Sequence, residues 1–239
     1  MYGSLFSGIG GIDLGLDRAG MTCPWQVERD EWCRRVLAKH WPDVPKYVDV
    51  TEVDWSELEH VDLICGGYPC QPFSLAGSRN GTEDERHLWP YFANALRVLR
   101  PRWAFLENVP GHLSLGFDSV LADLAALGFD AEWSIVPASW AGAPHRRERL
   151  VVVAHAAEHE LHVSDDHSER PGVGTITQRE FGRGGGHAGR PDGSWWASQP
   201  AVDRVAYGVP ARMDRLRGLG NAVVPQMAEW VGRRILEAT

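Results

Sequence analysis

Apolar runs too short to be helices alternate along the first two-thirds of this chain with stretches of three- and four-residue apolar spacing. Residues 2–7 (YGSLFS) read as a buried strand, and Gly8, Gly10 and Gly11 turn it into a helix carrying Ile12, Leu16 and Ala19. A second strand ends near Val27-Glu28, and a helix follows with Trp32, Cys33, Val36, Leu37 and Trp41 in register. VDLICGG (61–67) is halted by glycines, and WAFLE (103–107) by Asn108 and Pro110. Helical spacing occupies 88–99 and 117–127, while Glu132–Val136 and Leu150–Ala154 add two more strands. Strands and amphipathic helices in this order predict an α/β fold on a parallel sheet.

From about His155 the texture changes. Residues 156–194 lack apolar periodicity and include the run FGRGGGHAGRPDGS, which predicts a loop-rich subdomain. Order is expected again at Trp195-Trp196, over Val202–Val209, and in a closing helix bearing Met227, Trp230, Val231 and Ile235. The chain divides accordingly into a catalytic unit over 1–155, a recognition region over 156–205, and a returning segment over 206–239.

Composition narrows the function classes. With 239 residues, 44% of them hydrophobic, the chain can bury a sizeable core, and wholesale disorder is excluded. No apolar run is long enough to span a bilayer and no secretion signal opens the sequence, so a cytoplasmic protein is expected. Four cysteines without paired metal spacing agree with a reducing compartment. The net charge of −8 argues against nucleic acid until it is divided. Residues 1–139 carry 11 Lys and Arg against 20 Asp and Glu, whereas residues 140–239 carry 13 against 12. The basic residues of the second part are all arginine.

Four segments carry chemistry. SLFSGIGGIDLGL (4–16) is a strand, a glycine turn and a helix start, where backbone can approach a nucleotide-like ligand closely. Glu28 stands at the next strand end, where a carboxylate can accept ribose hydroxyls. A glycine turn of this kind also serves simple close packing. GGYPCQPFS (66–74) sets Cys70 in a loop directly after a strand, the place where α/β folds put reactive groups. Cys23, Cys33 and Cys65 read instead as small buried hydrophobes. Glu107-Asn108-Val109-Pro110 ends another apolar strand, so that Glu107 either lines the same crevice or caps the surface. His145-Arg146-Arg147-Glu148-Arg149 leads into a strand, where alternation puts Arg147 and Arg149 on one face; a solvated charge run has the same composition.

Taken in this order, the segments resemble the DNA cytosine-5 methyltransferase family, from Ser4 through Ala154 and again at RLRGLGNAVVP (215–225). The proline-cysteine-glutamine and Glu-Asn-Val pieces are the most diagnostic. The resemblance implies a Rossmann-like methyltransferase fold with S-adenosylmethionine as methyl donor and no metal. The donor would lie over Phe6, Gly8, Gly10 and Gly11, with Glu28 on the ribose, Asp49 near the adenine amine and Arg29 against the adenine face. Pro69, Leu88, Asn221 and Val223 would complete that pocket. Cys70 would attack cytosine carbon 6 while Glu107 protonates ring nitrogen 3. Arg149 would hold the cytosine oxygen and Arg147 would orient the site. The implied partner is double-stranded DNA with its target base flipped out, bound by a monomer without a membrane.

The match has departures. His145 stands where the family's arginine motif usually opens with glutamine, and only a short glycine-rich stretch replaces a large recognition domain. A compact enzyme reading few bases is therefore expected. Gln71 and Ser74 beside the nucleophile, with Arg179, Arg183 and Arg190, are the expected DNA contacts. Arg204, Arg212, Arg215 and Arg217 are expected on phosphates. On a helix His155, His159 and His162 would share a face that could hold a metal, but histidine is common in irregular loops and the resemblance implies no metal. An RNA cytosine methyltransferase on the same core and a catalytically silent DNA-binding module are the competing readings.

Overall fold

A computed structural model describes residues 1–69, 88–143, 145–157, 214, 218–219 and 222–239. Seven strands are described: β1 (Tyr2–Leu5), β2 (Trp25–Val27), β3 (Lys46–Tyr47), β4 (Leu63–Gly66), β5 (Trp103–Asn108), β6 (Phe129–Val136) and β7 (Arg149–Ala156). They form one sheet in the order β3-β2-β1-β4-β5-β7-β6. The helices are α1 (Gly11–Ala19), α2 (Glu31–His40), α3 (Trp89–Leu99), α4 (Phe117–Ala126) and α5 (Pro225–Glu237).

The sheet is mixed, which corrects the expectation of an all-parallel one. Strands β1 to β5 pair in parallel, but β7 pairs antiparallel with both β5 and β6. Each parallel pair needs a long crossover, whereas β6 and β7 are joined by a short link containing one 3-10 turn at Ala138–Ala141. That link reverses the chain and inserts β7 between β5 and β6. The two-residue strand β3 was not anticipated, because two residues show no periodicity.

Alternation divides the core between the two faces of the sheet. Ile64, Ala104, Leu106, Leu150 and Val152 pack with Trp89, Phe92 and Leu96 of α3 and Val120 and Leu124 of α4. Leu63, Cys65, Phe105, Val151 and Val153 pack with Ile12 and Leu16 of α1 and Met227, Val231 and Ile235 of α5. Helix α5, in the returning segment, lies tightly on α1. A Cβ on Gly15 would stand 2.3 Å from Pro225 O, and one on Gly232 would stand 2.8 Å from Ala19 Cβ.

A buried polar network fixes α1 to the sheet. Asp13 is fully buried; its carboxylate accepts from Gln26 Nε2 at 2.7 Å and Ser4 Oγ at 3.1 Å. Burial pushes this carboxyl up to about 6 against the pull of those two bonds. Tyr2 Oη donates to Asp17 Oδ1 at 2.8 Å, and Trp41 Nε1 donates to Asp17 Oδ2 at 2.6 Å, which joins α2 to the same corner. The glycine turn between β1 and α1 is therefore held from below.

Candidate active site

Strand order reverses between β1 and β4, so the loops leaving these two strands diverge and open a crevice at the carboxyl end of the sheet. The β1 side is built from unusual backbone. Phe6, Gly8 and Gly10 all have positive φ, at 52°, 57° and 82°. Glycine takes this conformation without steric cost; Phe6 does not, and a non-glycine residue held there marks a site over-determined by its surroundings. A Cβ on Gly8 would meet no atom of the described residues within 4 Å.

The end of β2 ties down this turn. Gly8 N donates to Glu28 Oε2 at 2.6 Å, and Asp30 N donates to Glu28 Oε1 at 2.7 Å. Burial raises the Glu28 carboxyl, and these two amides pull it back. Each oxygen keeps a lone pair for a further donor. Past β3, Asp49 Oδ1 accepts from Thr51 N at 3.0 Å and Thr51 Oγ1 at 2.8 Å, bonds that hold its carboxyl below the usual range. Arg29 Nε stands 3.8 Å from Asp49 Oδ2 and is largely exposed. Leu88 caps α3 and packs with Phe6 against one core, while Pro69 is exposed just after Tyr68. A Cβ on Gly11 would stand 2.7 Å from Val223 O, so the returning segment closes over the turn. Among the residues expected to hold the donor, the structure thus brings together Gly8 with Glu28, Gly11 with Val223, and Arg29 with Asp49. A glycine-rich turn beside carboxylates with spare lone pairs fits the ribose and amine of S-adenosylmethionine.

A second centre lies at the ends of β5 and β7. Arg149 Nε donates to Glu107 Oε1 at 2.7 Å, and both side chains are largely buried. Burial pushes the Glu107 carboxyl up to about 7, although Arg149 and Arg147 both pull it down. A Cβ on Gly67 would stand 2.7 Å from Glu107 Oε2, so glycine at this position makes room for the carboxylate. Arg147 reaches the same place by a different route from the strand alternation expected for it. It precedes β7, has φ of 30°, and donates from Nη2 to Ala222 O at 2.8 Å. Both arginines line a small cleft walled by Val136, Pro137, Trp140 and Met227.

Cys70, Gln71, Ser74, Arg179, Arg183, Arg190, Arg204, Arg212, Arg215, Arg217 and Asn221 lie outside the described residues, as do Trp195-Trp196 and Val202–Val209. His155 belongs to β7, not to a helix, so it cannot open the helical metal face; His159 and His162 lie outside the described residues. Cys33 and Cys65 are buried as expected, and burial raises the Cys65 thiol far above its ordinary value. Among the described residues no helix is long and apolar enough to cross a membrane. Sequence reasoning missed Tyr68 and His112, whose buried side chains meet at 2.7 Å. Only their positions next to two motifs could have pointed to them.

Comparison with known proteins agrees with this geometry. The family described as C-5 cytosine-specific DNA methylase matches residues 1–180. The Type II methyltransferase M2.BsuMI of Bacillus subtilis is 36% identical over 177 residues, covering 70% of this chain and 45% of its own. The Type II methyltransferase M.NaeI of Lentzea aerocolonigenes is 39% identical over 157 residues, covering 62% of this chain and 38% of its own. The chain thus spans less than half the length of either relative. The crystal structure of a candidate DNA modification methyltransferase encoded within an E. coli prophage superposes with a TM-score of 0.56 at 29% identity, over 69% of this chain and 49% of that one. The glycine turn with Glu28, the Glu107–Arg149 pair and the match over residues 1–180 lead to one conclusion: this chain belongs to the C-5 cytosine-specific DNA methylase family.

Proposed function

We propose that the protein transfers a methyl group from S-adenosylmethionine to carbon 5 of cytosine in double-stranded DNA, through a Cys70 adduct on a flipped-out base. The observation that carries this reading is Glu107, a buried carboxyl held by Arg149 and pushed up to about 7. An acid that must give a proton to ring nitrogen 3 at neutral pH works best with a pKa near that pH. An ordinary surface carboxylate would hold almost none.

Phe6, Gly8, Gly10, Gly11, Glu28, Arg29, Asp49, Pro69, Leu88, Asn221 and Val223 would hold the donor, which supplies an electrophilic methyl group when bound. Cys70, as thiolate, adds to cytosine carbon 6 while Glu107 delivers its proton to nitrogen 3. Carbon 5 thereby gains the electron density that lets it bond to the methyl carbon as the donor's carbon–sulfur bond breaks, with S-adenosylhomocysteine as the leaving group. The carbon 5 proton then passes to water, the nitrogen 3 proton returns to Glu107, and the Cys70 sulfur departs as thiolate to restore the ring. Arg149 fixes the Glu107 carboxyl and offers its remaining N–H groups to the base oxygen. Arg147, bonded to Ala222 O, couples the base side of the site to the segment that closes over the glycine turn.

The test uses labelled S-adenosylmethionine and cytosine-rich duplex DNA, with tRNA as competitor. Wild type is expected to label duplex DNA and Cys70→Ala is not. Equal labelling by the two proteins would end the proposal, and preferential labelling of tRNA would redirect it to RNA. Gln71, Ser74 and the arginines from 179 to 217 are the proposed DNA contacts, within a recognition region over 156–205. Bisulfite mapping after expression in an unmethylated host reads out the sequence they select.

A further inference from the structure

Beyond the last rungs of the ladder between β4 and β5, which pair Cys65 with Phe105 and Gly66 with Leu106, the sheet no longer fixes the two chains relative to each other. Yet Glu107 lies past that point, Cys70 follows in sequence on the β4 side, and the proposed reaction needs both at the same base. Tyr68, two residues before Cys70, bridges this gap. Its carbonyl oxygen accepts from Asn108 Nδ2 at 3.1 Å, and Asn108 Oδ1 accepts from Val109 N at 2.9 Å. Its hydroxyl lies 2.7 Å from His112 Nε2, on the 3-10 turn Pro110–Ser114 that follows Glu107 and Asn108.

The protonation pattern follows from the partners. His112 Nδ1 lies 2.9 Å from Leu115 O, and a carbonyl oxygen only accepts, so Nδ1 carries a proton. In the neutral ring Nε2 then accepts from the Tyr68 hydroxyl. Trp89, Phe92 and Phe117 pack around the pair with ring centroids 5.1 to 6.1 Å away, and Tyr68 and His112 are 4% and 5% exposed. With water excluded, no solvent molecule replaces this bond when one partner is removed.

We propose that Tyr68 and His112 are positioning residues: their bond locks the chain leading to Cys70 onto the strand end that carries Glu107. This rests on the cytosine-5 methyl transfer proposed above. A nucleophile displaced by an ångström from its acid loses about two orders of magnitude in rate. A single hydrogen bond that limits such displacement should therefore act on the covalent step and leave donor binding untouched.

The test compares wild type with Y68F, which deletes one oxygen and keeps the ring, and with H112F and the double variant Y68F/H112F. Three quantities are measured: the single-turnover rate of capture by a 5-fluorocytosine duplex, the Kd for S-adenosylmethionine, and hydrogen exchange of the amides in residues 66–68 and 108–115. Y68F is expected to slow capture about tenfold with Kd within twofold of wild type. Exchange should quicken only in those two segments, and the double variant should be no slower than the worse single one. Capture by Y68F within twofold of wild type overturns the proposal. So does a slowing matched by an equal loss of donor affinity and a lowered Tm, which assigns the pair to core packing alone. If wild type itself is not captured, the cytosine-5 reading fails; local loosening in Y68F then still sustains the tether, and unchanged exchange overturns it.

Discussion

Arg149 Nε and Glu107 Oε1 stand 2.7 Å apart at the ends of two antiparallel neighbours, β7 and β5. The guanidinium stabilises the charged carboxylate, yet burial outweighs it and leaves the Glu107 carboxyl near 7. Glu107→Gln keeps the shape and removes the transferable proton. Single-turnover methylation should fall by about 10²-fold or more, with donor affinity within twofold of wild type. A variant with full activity would remove Glu107 from the chemistry.

The same raised value sets a pH dependence. Burial moves the Glu107 carboxyl from 4.5 to about 7, so between these values the folded protein holds a proton that the unfolded chain has released. This contribution to stability is fully present below pH 4.5 and is lost as pH rises through 7. Measured against Glu107→Gln by urea denaturation across that window, wild type should lose on the order of 3 kcal/mol relative to the variant. Asp13, raised to about 6, works in the same direction but is common to both proteins and cancels. The rate of methyl transfer should decline above about pH 7 for the same reason. A flat stability difference would mean that Glu107 titrates like an exposed carboxylate.

Glu28 accepts from both Gly8 N and Asp30 N, so it shapes the glycine turn and faces the proposed ribose position. In Glu28→Ala the turn loses both anchors, and Kd for S-adenosylmethionine should rise by about tenfold or more, as charged hydrogen bonds are removed. Calorimetric titration provides the check, and an unchanged Kd would move the ribose elsewhere.

Gly67 leaves room for the Glu107 carboxylate, because an added Cβ would stand 2.7 Å from Oε2. Arg149 holds that carboxylate on its other oxygen, so it cannot step aside without breaking the ion pair. Gly67→Ala should lower single-turnover methylation by about 10²-fold while the donor Kd stays near wild type. Retained activity would show that the carboxylate has freedom the geometry does not suggest.

Much of this site was legible in the sequence. The glycine turn, Glu28 and Glu107 stand at strand ends or in the loops that follow them, Arg149 opens β7, and strand ends are visible as apolar runs broken by glycine or proline. Arg147 shows the limit: alternation along a strand suggested its direction, whereas it precedes β7 with a positive φ and is aimed by its bond to Ala222 O. Tyr68 and His112 looked like ordinary neighbours of their motifs, since nothing local says that a hydroxyl and an imidazole from the segments after two different strands will share a dry pocket.

By itself the sequence determined the kind and order of β1, β2, β4 and β5 and of the helices between them, the face each apolar residue takes, and the residue types at each strand end. These follow from backbone geometry over a few residues, which periodicity records directly. Tertiary structure alone decided that β7 runs antiparallel between β5 and β6, that Arg149 thereby meets Glu107, and that α5 returns to seat Pro225 against Gly15 of α1. It also decided the protonation of Glu107, because a carboxyl's pKa depends on how much water the whole fold removes from it. Such pairings join surfaces far apart in the chain, and only their joint burial selects them.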